Sequence, residues 1–386
     1  MRRPRRQEER LKTLKPLALC LGLAAIAPAL LGQEVTPLPQ PTAVPTAEPA
    51  PAPTPSPSGG GSGSPTYFNP SIAVIGNFLA VAGKNSIENR PAIEMRESEI
   101  SLQAVVDPYA RADFFVSLSN DGIDLEEGFV TFTQLPGDLL VKAGKFKAQF
   151  GKINTLHLHV LPWPDEPLPL INLLGSEDGW SDSGVSVARL IPLPADTFSE
   201  LTAQVFRGKT PGLFDAPSRG DLSYVAQYRA YRDFGDDHNV ELGTSWGRGS
   251  NGTTSEGKTT LENIHVTYRW KPLQGRPYRS FILRSELFRS RRQQPGGTQS
   301  SRGFYASGDY QLSRRWFAGA RYEFSDRADD ETARDRGEAL TLTFWPSEFS
   351  QLRGELRQRR YAGGVRANEA LLQLQFAIGA HGAHPF

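Results

Sequence analysis

"LLQLQFAIG", residues 371–379, alternates with a period of two. Leu372, Leu374, Phe376 and Ile378 fall on one side of an extended chain, and Gln373, Gln375 and Ala377 on the other. A strand with one greasy and one polar face fits a soluble sandwich with a wet exterior or a membrane barrel with a wet interior. The choice depends on the rest of the chain.

The pattern recurs at 110–119 (Ala110, Ala112, Phe114, Val116 and Leu118 on one face), 263–270, 280–288, 304–312 and 316–324. Each segment is near the ten residues that a tilted membrane strand needs. The opposite faces are charged: Arg111 and Asp113, Arg284 and Glu286, Arg321 and Glu323, then Arg353, Glu355, Arg357 and Arg359. Between residue 67 and the C-terminus the spacing predicts about sixteen strands: near 71–82, 96–106, 110–119, 125–134, 139–148, 183–191, 198–207 and 221–232, then 238–247, 260–271, 278–290, 302–312, 315–326, 337–346, 350–361 and 368–379. The number is even, as in bacterial single-chain barrels. Every second link is short, as in "LPGD" (135–138), "FGDD" (234–237) and "SR" (313–314), and the others are mostly longer. Tight periplasmic turns against longer external loops have this asymmetry. Phe198, Phe234, Trp270, Tyr278, Trp316, Trp345 and Phe349 all fall near the short-turn end, as an interfacial girdle would. The expected fold is therefore all-β, a transmembrane antiparallel barrel with an inward-folded long loop.

The N-terminus places it. Seven basic residues between Arg2 and Lys15 precede the apolar run Leu17 to Leu31, the layout of a secretory signal peptide over 1–32. Cys20, the sole cysteine, follows Leu19 rather than a small residue, so lipidation is not expected. Removing the leader leaves no cysteine, hence no disulfide, thiolate metal site or cysteine nucleophile. It also takes the formal charge from +1 to −4, leaving 36 basic and 40 acidic residues, with no basic domain to hold nucleic acid. Residues 33–66 form a Pro-rich stretch ending in a Gly/Ser hinge, read as an extended linker. The barrel is expected over 67–386, in the outer membrane of a Gram-negative cell.

The segment "VDPYARADFFVSLSNDGIDLEEGFVTFTQLPGDLLVKAGKFKAQFGKIN" (106–154), with its "LEEGFVTF" strand, "LPGD" turn and "KAGKFKAQFGKIN", resembles outer-membrane porins of the phosphate-selective porin O and P kind. The resemblance implies a sixteen-stranded pore, a homotrimer, and phosphate selectivity carried by arginines on inward loops. The corresponding loop here is acidic, so phosphate does not carry over.

The longest connection, near 151–181, lies where porins place the loop that narrows the lumen. It carries Asp165, Glu166, Glu177 and Asp178. The expectation is that these acids face Arg284, Arg321, Arg353 and Arg357 of the wall, creating a transverse field that filters solutes by charge. The alternative is that Arg284 with Glu286, Arg321 with Glu323, and Arg353 with Glu355 neutralise one another. Lys142, Lys145, Lys147 and Lys152 read either as an anion track or as snorkelling lysines. His157 and His159, two apart, are weak zinc candidates and are expected to be ordinary loop histidines, as are His381 and His384. No cofactor is expected. No His-Glu-x-x-His occurs, and no serine beside His238 or His265 stands out as a barrel-lipase site, so an enzyme is not expected. These residues point to a porin passing small hydrophilic solutes or ions through outer-membrane lipid. A non-conducting anchor barrel that works through its linker is the alternative.

Overall fold

The computed structural model describes residues 70–120, 122–176, 178–272 and 278–379. The leader, the linker, Glu177, His381, His384 and Phe386 lie outside the described residues. The strands are β1 (Ser71–Lys84), β2 (Ile93–Asp107), β3 (Ala110–Ser119), β4 (Gly122–Leu135), β5 (Leu139–Lys147), β6 (Ser181–Leu190), β7 (Phe198–Phe206), β8 (Lys209–Thr210) and β9 (Phe214–Asp215). They continue with β10 (Ser223–Phe234), β11 (His238–Ser250), β12 (Lys258–Trp270), β13 (Phe281–Gln294), β14 (Gly297–Gln311), β15 (Trp316–Arg327), β16 (Asp330–Ser347), β17 (Ser350–Arg360) and β18 (Arg366–Gly379). Sixteen of them pair antiparallel, each with its chain neighbour, and β1 pairs β18 to close the barrel; β8 and β9 make a separate hairpin within one long connection. Closure removes every sheet edge, which a chain in lipid requires because an unpaired backbone group has no water to turn to.

The register explains the two faces. Leu340, Leu356 and Ala370 stand in one row across β16, β17 and β18, and Phe344, Leu352, Leu374 and Phe78 in another. These leucines are exposed on the outer wall, where lipid covers them. The residues between them point inward, so Arg357 lies between Ala339 and Glu369, and Arg359 between Gly337 and Ala367. Rings gather at the short-turn rim: Trp316 stacks on Phe344 and Phe198 on Tyr231, each with centroids 4.6 Å apart. No helix among the described residues is long and apolar enough to cross a membrane; the strands cross.

Two sequence expectations need correction. Three of the supposed longer links, β3–β4, β13–β14 and β15–β16, are two-residue hairpins. Polar pairs such as Ser290 with Ser301 and Gln293 with Thr298 carry the ladder on beyond the apolar belt, so the strands outrun their hydrophobic signal. The lumen is also drier than expected. The connection 148–180 folds inside and brings an apolar cluster of Phe150, Trp163, Leu170, Leu173 and Trp180 against Phe206 and Phe288 of the wall.

Candidate functional site: the lumen and its inward loop

The loop starts and ends on one residue. Asn154 donates to the carbonyls of Ala148 and Trp180 at 2.8 and 3.0 Å, and accepts the Trp180 N–H at 2.7 Å, which closes the base. Within it lie two 3-10 turns, 153–155 and 158–160, and one short helix, α1 (Leu168–Leu174), entered through Pro167 and ended by Gly175 at φ +96°. Small wall residues make room for it: a Cβ on Gly247 would stand 2.6 Å from the Trp180 ring, and one on Gly303 2.8 Å from Pro169.

Asp165 is buried at the tip. It accepts from Arg321 at 2.6 Å, Arg357 at 2.7 Å and Arg359 at 2.8 Å. Small residues allow that convergence, with Ala339 standing between Arg321 and Arg357 in the ladder and Gly337 between Glu323 and Arg359. Burial opposes ionisation of Asp165, but the Arg321, Arg359 and Arg357 guanidiniums hold its carboxyl well below the ordinary carboxylate range. Arg321 also lies over the Trp163 ring at 4.7 Å. Glu88, from the β1–β2 loop, caps the group: it pairs with Arg357 at 2.8 Å and with Arg359, and accepts from the Tyr361 hydroxyl at 2.8 Å. Burial again opposes its charge, yet Arg359, Arg357 and Tyr361 pull it down to about 2.

The other expected residues find separate places. Glu166 pairs with Arg96 at 2.6 Å. Glu286 accepts the backbone N–H groups of Lys152 and Ile153 at 3.1 and 2.7 Å and the Tyr305 hydroxyl at 2.7 Å, so it clamps the start of the loop. Glu323 accepts the Leu168 N–H at 3.1 Å. Arg353 meets no carboxylate within ion-pair reach among the described residues and instead donates to the Leu161 carbonyl at 2.9 Å, Gln373 and Thr343. Arg284 pairs with Asp309 at 2.5 Å, and Glu355 lies 3.9 Å from Arg321. Asp178 is exposed, and its carbonyl accepts from Lys147. Lys142 stands 3.8 Å over the Phe129 ring, Lys145 reaches Asp124, and Lys152 pairs with Glu241 at 2.5 Å, so each lysine has its own partner and they form no single track. Of the four wall arginines expected to face the loop acids, Arg321 and Arg357 thus meet Asp165 in contact, and Arg284 and Arg353 bond elsewhere.

Sequence reasoning missed Arg359 as a partner of Asp165 and Glu88 as the carboxylate that pairs with Arg357 and Arg359, and it missed a second group on the wall of β2 and β4. There His157 and His159 meet Glu97, Glu99, Glu126 and Glu127. Two β-bulges create it. The ladder skips a residue between Asn77–Glu97 and Phe78–Met95, and another between Phe115–Glu127 and Val116–Leu125. The skipped Arg96 and Glu126 reach the loop along with their neighbours, as a bulge re-aims side chains that strict alternation would send outward.

The loop leaves a cavity on each face. The one at the loop end, about 530 Å³, is lined by six carboxylates, among them Glu97, Glu126 and Asp124, and by three cations. The one at the turn end, about 280 Å³, is lined by Lys152, Arg269, Arg284 and Arg353 against Asp309. Sequence reasoning counts a P-loop and a Gly-x-Ser-x-Gly elbow as absent, but two stretches match their letter spacings. "GTTSEGKT" (252–259) has P-loop spacing and "GTSWG" (243–247) that of a nucleophile elbow. Both lie on the antiparallel hairpin of β11 and β12, with no strand-to-helix turn to form either site, and Lys258 pairs with Asp221.

A closed sixteen-strand barrel, apolar outside, charged within and narrowed by a loop folded between its walls, has the architecture of an outer-membrane porin. Comparisons agree on the fold. OprB of Pseudomonas putida superposes with a TM-score of 0.57 at 11% identity, over 80% of this chain and 94% of that one. An anion-selective porin from Comamonas acidovorans gives 0.55 at 12%, over 80% and 100%. An uncharacterised protein of Aquifex aeolicus (strain VF5) is 28% identical over 347 residues, covering 78% of this chain and 71% of that protein. No family model matches.

Proposed function

We propose that the protein is a diffusion porin for small hydrophilic solutes or ions rather than an enzyme, with the 148–180 loop as its constriction and the residues around Asp165 as its wall. The observation that carries this reading is the pair of cavities of opposite charge on the two faces of the inward loop. Six carboxylates against three cations favour cations at the loop-end mouth, and four cations against one carboxylate favour anions at the turn end. Such a bipolar path passes current unequally in the two directions. Assembly as a homotrimer belongs to the same proposal, as does secretion by the 1–32 leader ahead of a tethering 33–66 linker.

The test is planar-bilayer recording on the refolded mature chain in a salt gradient. Stepwise openings with a current–voltage asymmetry support the porin, and the reversal potential shows which mouth governs. The apolar packing of Trp163, Trp180 and Phe150 inside the barrel favours a second reading, a non-conducting anchor. A folded barrel that never opens supports the anchor, and deleting 33–66 should then abolish its role in cells.

A further inference from the structure

We propose that His157, His159, Glu99 and Glu126 form a binding site for a divalent transition-metal ion of the zinc class, which staples the inward loop to the wall formed by β2 and β4. The Nδ1 of His157 lies 2.7 Å from Glu99 Oε2 and 3.0 Å from Glu126 Oε2, and the Nδ1 of His159 lies 3.5 Å from the same Glu99 oxygen. Zinc bonds to nitrogen and oxygen run about 2.0–2.2 Å, so the edge of a tetrahedral ligand set is about 3.3–3.5 Å. The ligand atoms of His157, Glu99 and Glu126 all lie within 4.8 Å of one another, with His159 beside Glu99, and an opening of about half an ångström between His157 and Glu99 admits an ion.

Two further observations point to a ligand. Glu99 is 2% exposed and its Oε2 has no hydrogen bond, nor has the His157 Nδ1 facing it, although the two are 2.7 Å apart. Three carboxylates, Glu99, Glu126 and Glu127, crowd one buried imidazole within 3.0 Å, and that surplus of buried negative charge is costly unless a further cation offsets it. On its far side, His157 Nε2 meets Glu127 Oε2 at 2.8 Å, and Glu127 Oε1 accepts the Lys147 N–H at 2.6 Å. A carboxylate behind a ligating imidazole fixes its tautomer and raises its basicity, the usual support of a metal-bound histidine. Imidazole and carboxylate together suit a borderline ion such as zinc better than calcium or magnesium, which prefer oxygen alone. Glu97 and Glu126 line the loop-end cavity, which supplies the way in. This inference stands apart from conduction, because its readout is metal binding.

The experiment titrates the chelator-stripped, refolded mature chain with cobalt(II), followed by its visible absorption, and then displaces it with zinc(II). Expected are one cobalt per chain with the absorption of tetrahedral coordination, full displacement by zinc, and at least tenfold weaker binding in Glu99→Gln and His157→Gln. Glu127→Gln should weaken binding by about tenfold, as loss of an outer partner does, and His238→Gln should bind normally. The double variant H157Q/H159Q keeps the tail histidines, so unchanged binding there would move the ion to the tail and overturn the proposal. No cobalt band in the folded wild type would also overturn it, leaving His157 as an imidazolium held by carboxylates. Should the variants fail to fold, protease protection of 157–175 in the wild type with and without zinc decides: protection supports the staple, and its absence refutes it.

Discussion

Replacing Asp165 with Asn tests the latch that holds the loop to the arginine wall. The change keeps the shape and removes the charge shared by three guanidiniums. Their remaining partners differ. Arg357 keeps Glu88 and Glu369, both at 2.8 Å, and Arg359 keeps Glu88 and Glu323. Arg321 keeps only Glu323 at 3.3 Å and Glu355 at 3.9 Å, besides the Trp163 ring. The uncompensated charge is therefore that of Arg321. Stripping one partner from a buried ion pair costs about 3–5 kcal/mol, and the surviving contacts put this case near 3 kcal/mol. At about 1.4 kcal/mol per tenfold, the undocked loop gains roughly a hundredfold in population. The barrel ladder is untouched, so circular dichroism should not change. Protease cleavage within 157–175 should rise by a similar factor, and single channels should show larger, noisier openings with a shift toward anions. The double variant D165N/R321M removes the stranded charge and should recover much of the protection, since the two sites are directly coupled. Unchanged protection in D165N alone would refute the latch.

Other outcomes follow from the same contacts. The folded-state value of Glu88 is about 2 against an ordinary 4.5, so its contribution, roughly 3 kcal/mol, is complete above pH 4.5 and lost as pH falls toward 2; loop proteolysis in acid should therefore stay slow to pH 4 and accelerate below 3. Gly303→Val places side-chain atoms where Pro169 and Leu173 pack, 2.8 and 2.9 Å from an added Cβ, and should expel α1 and enlarge the conductance while heat-modifiable gel mobility still reports a closed barrel. Glu286→Gln weakens the two N–H contacts at the start of the loop, each worth about 1.5–3 kcal/mol when the acceptor is charged; it should raise hydrogen exchange at Lys152 and Ile153 and leave that of the Trp180 N–H, bonded to Asn154, unchanged.

The strand count and the closing strand were legible because lipid on one side and charge on the other impose a period of two, and that signal survives in single sequences such as 371–379. The position of the inward loop was legible too, as the longest gap in that pattern. What it touches was not, because contacts 150 to 270 residues apart, such as Arg359 with Asp165 and Glu88, leave no local trace. A list of inward residues names Arg321 and Arg357 but does not say that Ala339 and Gly337 open a space in which three guanidiniums reach one carboxylate.

The bulges show why the second group was beyond reach. Alternation through 96–106 and 125–134 assigns Glu97 and Arg96 to opposite faces, and likewise Glu126 and Glu127, yet one extra residue in each ladder brings each pair to the loop. A bulge in a barrel wall costs a ladder hydrogen bond and places an additional charge in the lumen. Here both bulges fall on β2 and β4, beside β3, and both face the loop that carries His157, Asp165 and Glu166. The loop is thereby gripped from two sides, by arginines of β15 and β17 through Asp165 and by carboxylates of β2 and β4 through His157. Losing either grip alone should loosen the constriction, because the other still anchors the loop, whereas losing both should release it into the lumen mouth.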